Sequence, residues 1–395
     1  MIDRTLYNKA FVSVITANMF FWMSVNFFLP VLPIYYHSLG LDDHQVGIAV
    51  GVFSLGSLIF RVYAGKAVDR YGSLPVLTLG MLLSVAAILA YQVATTLATA
   101  TVARFLHGAG ITGYAAAALT MATFIHGPER TTEVVAVYTL FTMIGMGIAT
   151  SAANWLFAFG GMPLVIAAGA ASTLLALALF PRKVTLAVQP SASSPMPLAA
   201  IVKSPAVFIP TVSLLAVCLC FGSITTFLPL HMLSRGVSEF NAFFIAYAVA
   251  VVFSRLWIKR LCGLLSPDRL AFYILVLLGV TLVTAGQYTA RWVLVLCGAG
   301  LGIGYGLAFP VLATIITANI TAASRGTAFG FYTSAIDLGF AVGAIGMGAV
   351  AAAWGYQAVF LAAGGYTLAY AALYRLWLRP KLPGPAAGEC DLTPL

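Results

Sequence analysis

The chain alternates between long apolar runs and short polar breaks. Twelve runs are each long enough to cross a bilayer core as a helix, which takes about 20 residues. They fall at about 10–37, 45–64, 74–93, 97–125, 133–157, 162–180, 206–232, 240–258, 270–288, 292–316, 327–350 and 356–378. The longest internal polar stretch, 181–204, contains Gln189-Pro190-Ser191-Ala192-Ser193-Ser194-Pro195 and reads as a flexible linker. It separates an N-terminal six-helix bundle, 1–180, from a C-terminal one, 205–379, and a Pro- and Gly-rich tail, 380–395, is expected to be disordered. The fold class is therefore all-α and integral to the membrane, with twelve transmembrane helices in two pseudo-symmetric six-helix bundles.

The cations test this count. Assigned to alternate sides from a cytoplasmic N-terminus, fifteen Lys and Arg fall on one face and only Arg235 and Arg291 on the other. Such asymmetry predicts two cytoplasmic termini in a bacterial-type inner (plasma) membrane. Composition agrees: only 8% of the 395 residues are charged, against about 25% in soluble domains, and 61% are hydrophobic. The net charge of +9 does not point to nucleic acid, because the cations sit singly or in pairs at the ends of apolar runs. No cleavable signal peptide is evident. The cysteines, 218, 220, 262, 297 and 390, have no metal-ligand spacing and read as buried free thiols. Neither a metal nor a cofactor is expected, and no clustered His/Asp/Glu or nucleophile motif suggests an enzyme.

The halves repeat. Leu32-Pro33, Ser38 and Gly40 recur 196 residues later as Leu228-Pro229, Ser234 and Gly236. Arg61 matches Arg255, and Gly108-Ala109-Gly110 matches Gly298-Ala299-Gly300. Arg130, Tyr138-Thr139 and Gly145 match Arg325, Tyr332-Thr333 and Gly339. Repeats in this order are expected of secondary transporters.

Between spans 2 and 3 stands Gly65-Lys66-Ala67-Val68-Asp69-Arg70-Tyr71-Gly72. This Gly, three residues, Asp-Arg, one residue, Gly pattern resembles the signature loop of the major facilitator superfamily. Arg104-Phe105-Leu106-His107-Gly108-Ala109-Gly110 in span 4 resembles the family's second motif, with His107 where a Gln is usual, and Pro128-Glu129-Arg130 is also similar. Span 5 departs from the drug:proton antiporter pattern: Gly145-Met146-Gly147-Ile148-Ala149-Thr150 contains no Pro. The resemblance implies that Gly65, Asp69, Arg70 and Gly72 help hold one alternating-access state shut. Physically, Gly65 would allow close helix contact and Asp69 could cap a helix start; alternatively, Asp69 and Arg70 form a solvated turn.

Ionisable groups at bilayer depth cost at least about 2.5 kcal/mol on insertion scales. Asp337, about ten residues into span 11, is read as a protonatable coupling site or substrate contact, or else as a structural partner of an arginine. Arg104 either shapes a cavity and tunes proton transfer or is a structural cation bonded to carbonyls. His107, one turn away, relays protons or packs. Arg61 and Arg255 snorkel to the headgroups, face a cavity or bond loops. Asn18 and Asn26, two turns apart in span 1, line a polar cavity or pack between helices. His37 and His231 are expected to be exposed at the outer interface.

Three intramembrane arginines against one aspartate favour an anionic, zwitterionic or neutral polar substrate. The chain is similar to small bacterial sugar- and drug-efflux-like and opine-metallophore exporters of the superfamily. That resemblance implies a proton-coupled exporter of a small organic molecule, working as a monomer by alternating access. The alternatives are a proton symporter importing a small organic anion and, more remotely, a non-transporting sensor.

Overall fold

Inside a bilayer no water is available to backbone N–H and C=O groups, so an apolar chain must satisfy them within helices. A computed structural model describes residues 8–125, 131–181, 198–320 and 324–382, which are nearly all helical. Most of the expected linker and tail, Pro128-Glu129-Arg130, Cys390 and the side chain of Asp69 lie outside the described residues.

The first half runs α1 Lys9–Asn26, α2 Val31–Ser38, α3 Asp43–Tyr71, α4 Ser73–Ala90, α5 Leu97–Phe124 and α6 Thr131–Leu179. The second runs α7 Leu198–Lys203, α8 Pro205–Ser234, α9 Asn241–Leu264, α10 Pro267–Gln287, α11 Arg291–Asn319, α12 Arg325–Ala341 and α13 Met347–Leu373. A π-helical turn, Val342–Gly346, joins the last two. The described helices group into two compact units, α1–α6 and α7–α13.

Among the described residues nine helices are long and apolar enough to span a membrane. Two of these, Glu133–Leu179 and Thr327–Leu378, are 47 and 52 residues long, enough for two crossings each. They are broken by non-helical glycines, Gly161 at φ 63° and Gly355 at φ 79°. Helix α5, which carries Arg104 and His107, supplies the remaining crossing, for twelve. Span 1 is built of α1 and α2: Pro30 has no N–H to offer the carbonyl of Asn26, and the helix steps there.

The repeat seen in sequence returns as repeated packing. In the first unit α1 lies along α6, α3 along α5, and α4 against α5 and α6. In the second, α8 lies along α12, α9 along α11, and α10 against α11 and α13. The closest approaches also correspond. A Cβ on Gly108 would stand 1.8 Å from the carbonyl oxygen of Phe53, and one on Gly298 would stand 2.2 Å from that of Phe243. Both members of the first pair lie 190 residues before their counterparts. Gly145 meets Met19 as Gly339 meets Leu215, at 2.4 and 2.5 Å for the same imagined Cβ. Small residues at these crossings let backbones touch, which drives helix association in lipid.

Candidate functional site

The described geometry extends α3 through Gly65, Lys66, Asp69 and Arg70 to Tyr71, so the expected polar loop is mostly helix. A helix continues because Arg70 in its last turn complements the dipole's negative end. The turn itself is confined to Gly72, whose φ of 83° and ψ of 164° suit glycine, and whose N–H closes the helix on the carbonyl of Val68 at 2.9 Å. Gly72 also occupies the N-cap position of α4, which has no side-chain cap hydrogen bond. At Gly65 a Cβ would meet nothing within 4 Å among the described residues. Arg70 is exposed, its guanidinium carbon 5.2 Å from the centre of the Tyr71 ring.

Deeper in the first unit, Arg104 on α5 is 3% exposed. It donates to the carbonyl of Val50 on α3 at 3.1 Å and to the hydroxyl of Tyr91, at the end of α4, at 3.3 Å. Its guanidinium carbon lies 4.3 Å from the centre of the Phe53 ring. The Tyr91 hydroxyl is 2.7 Å from His107 Nδ1. That hydroxyl thus accepts from Arg104 and also pairs with the His107 ring. His107 Nε2 and Arg104 Nε are buried without hydrogen-bond partners among the described residues. Arg104, Tyr91 and His107 thus link α3, α4 and α5.

Asn18 is fully buried and bonded on both sides. Its amide donates to the Tyr138 carbonyl at 3.2 Å and to Thr142 Oγ1 at 2.7 Å, and its carbonyl accepts from the Tyr114 hydroxyl at 3.2 Å. Asn26 instead bonds its own helix, donating to the Trp22 carbonyl at 2.8 Å. Asn18 ties α1 to α5 and α6, and Asn26 satisfies itself locally. The half-buried Arg61 lies on α3.

The second unit gathers the remaining charges around tyrosines. Asp337 on α12 is 8% exposed and is the one buried carboxylate among the described residues. Its electrostatic neighbours include Cys218 on α8 and Tyr305 on α11. The half-buried Arg255 on α9 has Tyr247, Tyr305 and Tyr332 as electrostatic neighbours. Tyr305, common to both, stacks on Phe221 with ring centres 4.3 Å apart. Asp337 and Arg255 thus share Tyr305 as a neighbour within the second unit. His231 is a further correction. It is 2% exposed rather than interfacial, with Nε2 3.1 Å from the Gly286 carbonyl of α10. His37 is exposed and 3.9 Å from Asp43. Tyr91, Tyr114 and Tyr305 had not been singled out. A tyrosine far from a span's end, or beside a buried ion, was the available signal.

A staphylopine export protein of Staphylococcus aureus (strain Mu50 / ATCC 700699) is 25% identical over 390 residues, covering 93% of this chain and 95% of the relative. The quinolone resistance protein NorA of Staphylococcus aureus (strain N315) is 29% identical over 62 residues, 16% of each chain. Among solved structures, a bacterial homologue of the human lysosomal transporter Spinster, inward-facing and occupied, has a TM-score of 0.76 at 14% identity, covering 95% of this chain and 98% of its own. The nucleoside transporter NupG has a TM-score of 0.74 at 14% identity, covering 93% and 98%. The family model described as Major Facilitator Superfamily matches residues 14–285 and 240–391, and with the twelve-helix duplicated fold this shows that the chain belongs to that superfamily of transporters.

Proposed function

We propose that the protein exports a small organic molecule by alternating access, driven by protons moving the other way across a bacterial inner membrane. The observation that carries this reading is the near full-length likeness to a staphylopine export protein. Asp337 is the coupling site in this scheme. It is the buried carboxylate among the described residues, and it shares Tyr305 with Arg255. A carboxylate in such a place binds a proton when desolvated and releases it when a cation or water approaches. The substrate is anionic or zwitterionic: Arg255 is half-buried beside tyrosines, and the spans carry more arginine than acid. Arg104 holds the first unit's helices together rather than meeting the substrate, since its hydrogen bonds run to α3 and to the end of α4.

The test is transport in everted membrane vesicles loaded with a pH-sensitive dye. A panel of staphylopine, a quinolone and a nucleoside is added after the lumen has been acidified. Substrate-dependent release of lumenal protons supports exchange. Proton movement in the same direction as substrate supports import instead, and silence across the panel leaves export without support.

A further inference from the structure

Helices α9 and α11 enclose a groove of about 580 Å³ on the surface of the second unit. Its floor is made by small residues, Ala246 and Ala250 on α9 and Ala299 on α11, while Val249, Phe253 and Ile303 rise beside it, 53%, 58% and 39% exposed. The groove is not merely part of an apolar surface, because one end is charged. Arg291, which opens α11, also lines the groove and lies 3.4 Å from Glu239 Oε2, with side chains 74% and 76% exposed. The N-cap of α11 is Ala290, which has no side chain to bond the first turn's free N–H groups. The positive end of that helix therefore adds to the charge of Arg291. From Arg291 to Ile303 the groove follows twelve steps of helix, about 18 Å at 1.5 Å per residue. Half of a hydrocarbon core of roughly 30 Å is about 15 Å, the depth of one leaflet.

We propose that this groove is a binding site for one ethanolamine phospholipid of the outer leaflet. One acyl chain lies in the groove. The phosphate meets Arg291 and the uncapped amides of α11, and the ammonium meets Glu239. A cation, an anion and a slot one leaflet deep match a zwitterionic headgroup that can donate hydrogen bonds. An anionic headgroup would leave Glu239 facing like charge, and a choline headgroup has no N–H for it. The site lies on the cation-poor face marked by Arg235 and Arg291, and it involves neither Asp337 nor the Arg104 network, so it stands apart from the transport reading.

The experiment reconstitutes the full chain in vesicles of equal parts phosphatidylethanolamine, phosphatidylglycerol and phosphatidylcholine, extracts it in mild detergent and measures the retained lipid by mass. The expected result is enrichment of phosphatidylethanolamine over both others by about fivefold, the upper end of an exposed ion pair's contribution. Arg291→Gln, and Ala299→Leu, which fills the floor without touching a charge, each return retention to the vesicle ratio. Glu239→Gln removes the preference over phosphatidylglycerol. Retention at the vesicle ratio in the wild type, or enrichment unchanged in both Arg291→Gln and Ala299→Leu, overturns the proposal. Both variants are checked for wild-type melting, so that loss of lipid is not loss of fold.

Discussion

Replacing Gly108 with Ala puts a methyl where α5 touches α3. The added carbon would lie 1.8 Å from the Phe53 carbonyl oxygen, 2.8 Å from its carbonyl carbon and 3.0 Å from the Ser57 nitrogen. All three are backbone atoms, so no side chain can rotate away. Ordinary contact begins near 3.4 Å, and the helices must part by about 1.6 Å, enough to forfeit much of the dispersion across the crossing. The Arg104 bond to the Val50 carbonyl, now 3.1 Å and spanning the same two helices, would then open past hydrogen-bond range. Overpacking costs about 1–3 kcal/mol and an orphaned buried polar group about 1–3 kcal/mol more, so the sum is about 2–6 kcal/mol. For a unit of this size that is a fall in melting temperature of at least about 4 °C. Gly298→Ala, facing Phe243 at 2.2 Å, is expected to fall comparably. Gly65→Ala is the control: it meets nothing, and Ala is favoured over Gly in helices by about 0.5–1 kcal/mol. The assay is thermal loss of the monodisperse peak on size-exclusion chromatography in detergent. If Gly108→Ala melts with the wild type, or Gly65→Ala falls as far, the packing argument is wrong.

Three further outcomes are expected. Tyr91→Phe removes the hydroxyl shared by Arg104 and His107 and should cost about 1–3 kcal/mol; in a double-mutant cycle with His107→Leu the losses should be non-additive by at least about 0.5 kcal/mol. Gly355→Ala forces a side chain to φ 79° and should destabilise by about 1–2 kcal/mol, matched by Gly161→Ala at φ 63°, whereas the control Gly330→Ala, inside α12 with open space beside it, should not. Asp69→Asn should slow turnover in vesicles while substrate affinity stays near wild type, and a loss of affinity alone would contradict a gating role for the end of α3.

The fold was legible because lipid imposes one rule on every span, and the apolar runs report it directly. The repeat was legible because its markers, such as Gly108 and Gly298 or Gly40 and Gly236, are residues that backbone geometry requires. The end of α3 was misread for a related reason. Hydropathy reports immersion in lipid rather than where a helix stops, and α3 carries Lys66, Asp69 and Arg70 as helix beyond its apolar run. Gly65 shows a second limit, since sequence does not say which face of a helix meets a neighbour. The Arg104 network depends on a backbone carbonyl at Val50, which leaves no trace in residue identity, and on Tyr91, which looked like an ordinary span end. Asn18 and Asn26 share a helical face by spacing, yet only Asn18 has Thr142 and Tyr114 within reach.

Proton coupling through Asp337 is the claim on which the functional account turns. The direct measurement compares wild type and Asp337→Asn in the same vesicles, following substrate-driven proton release alongside substrate counterflow, which needs no proton gradient. The account predicts that the variant loses proton release while counterflow persists. Proton release at the wild-type level in Asp337→Asn would contradict it.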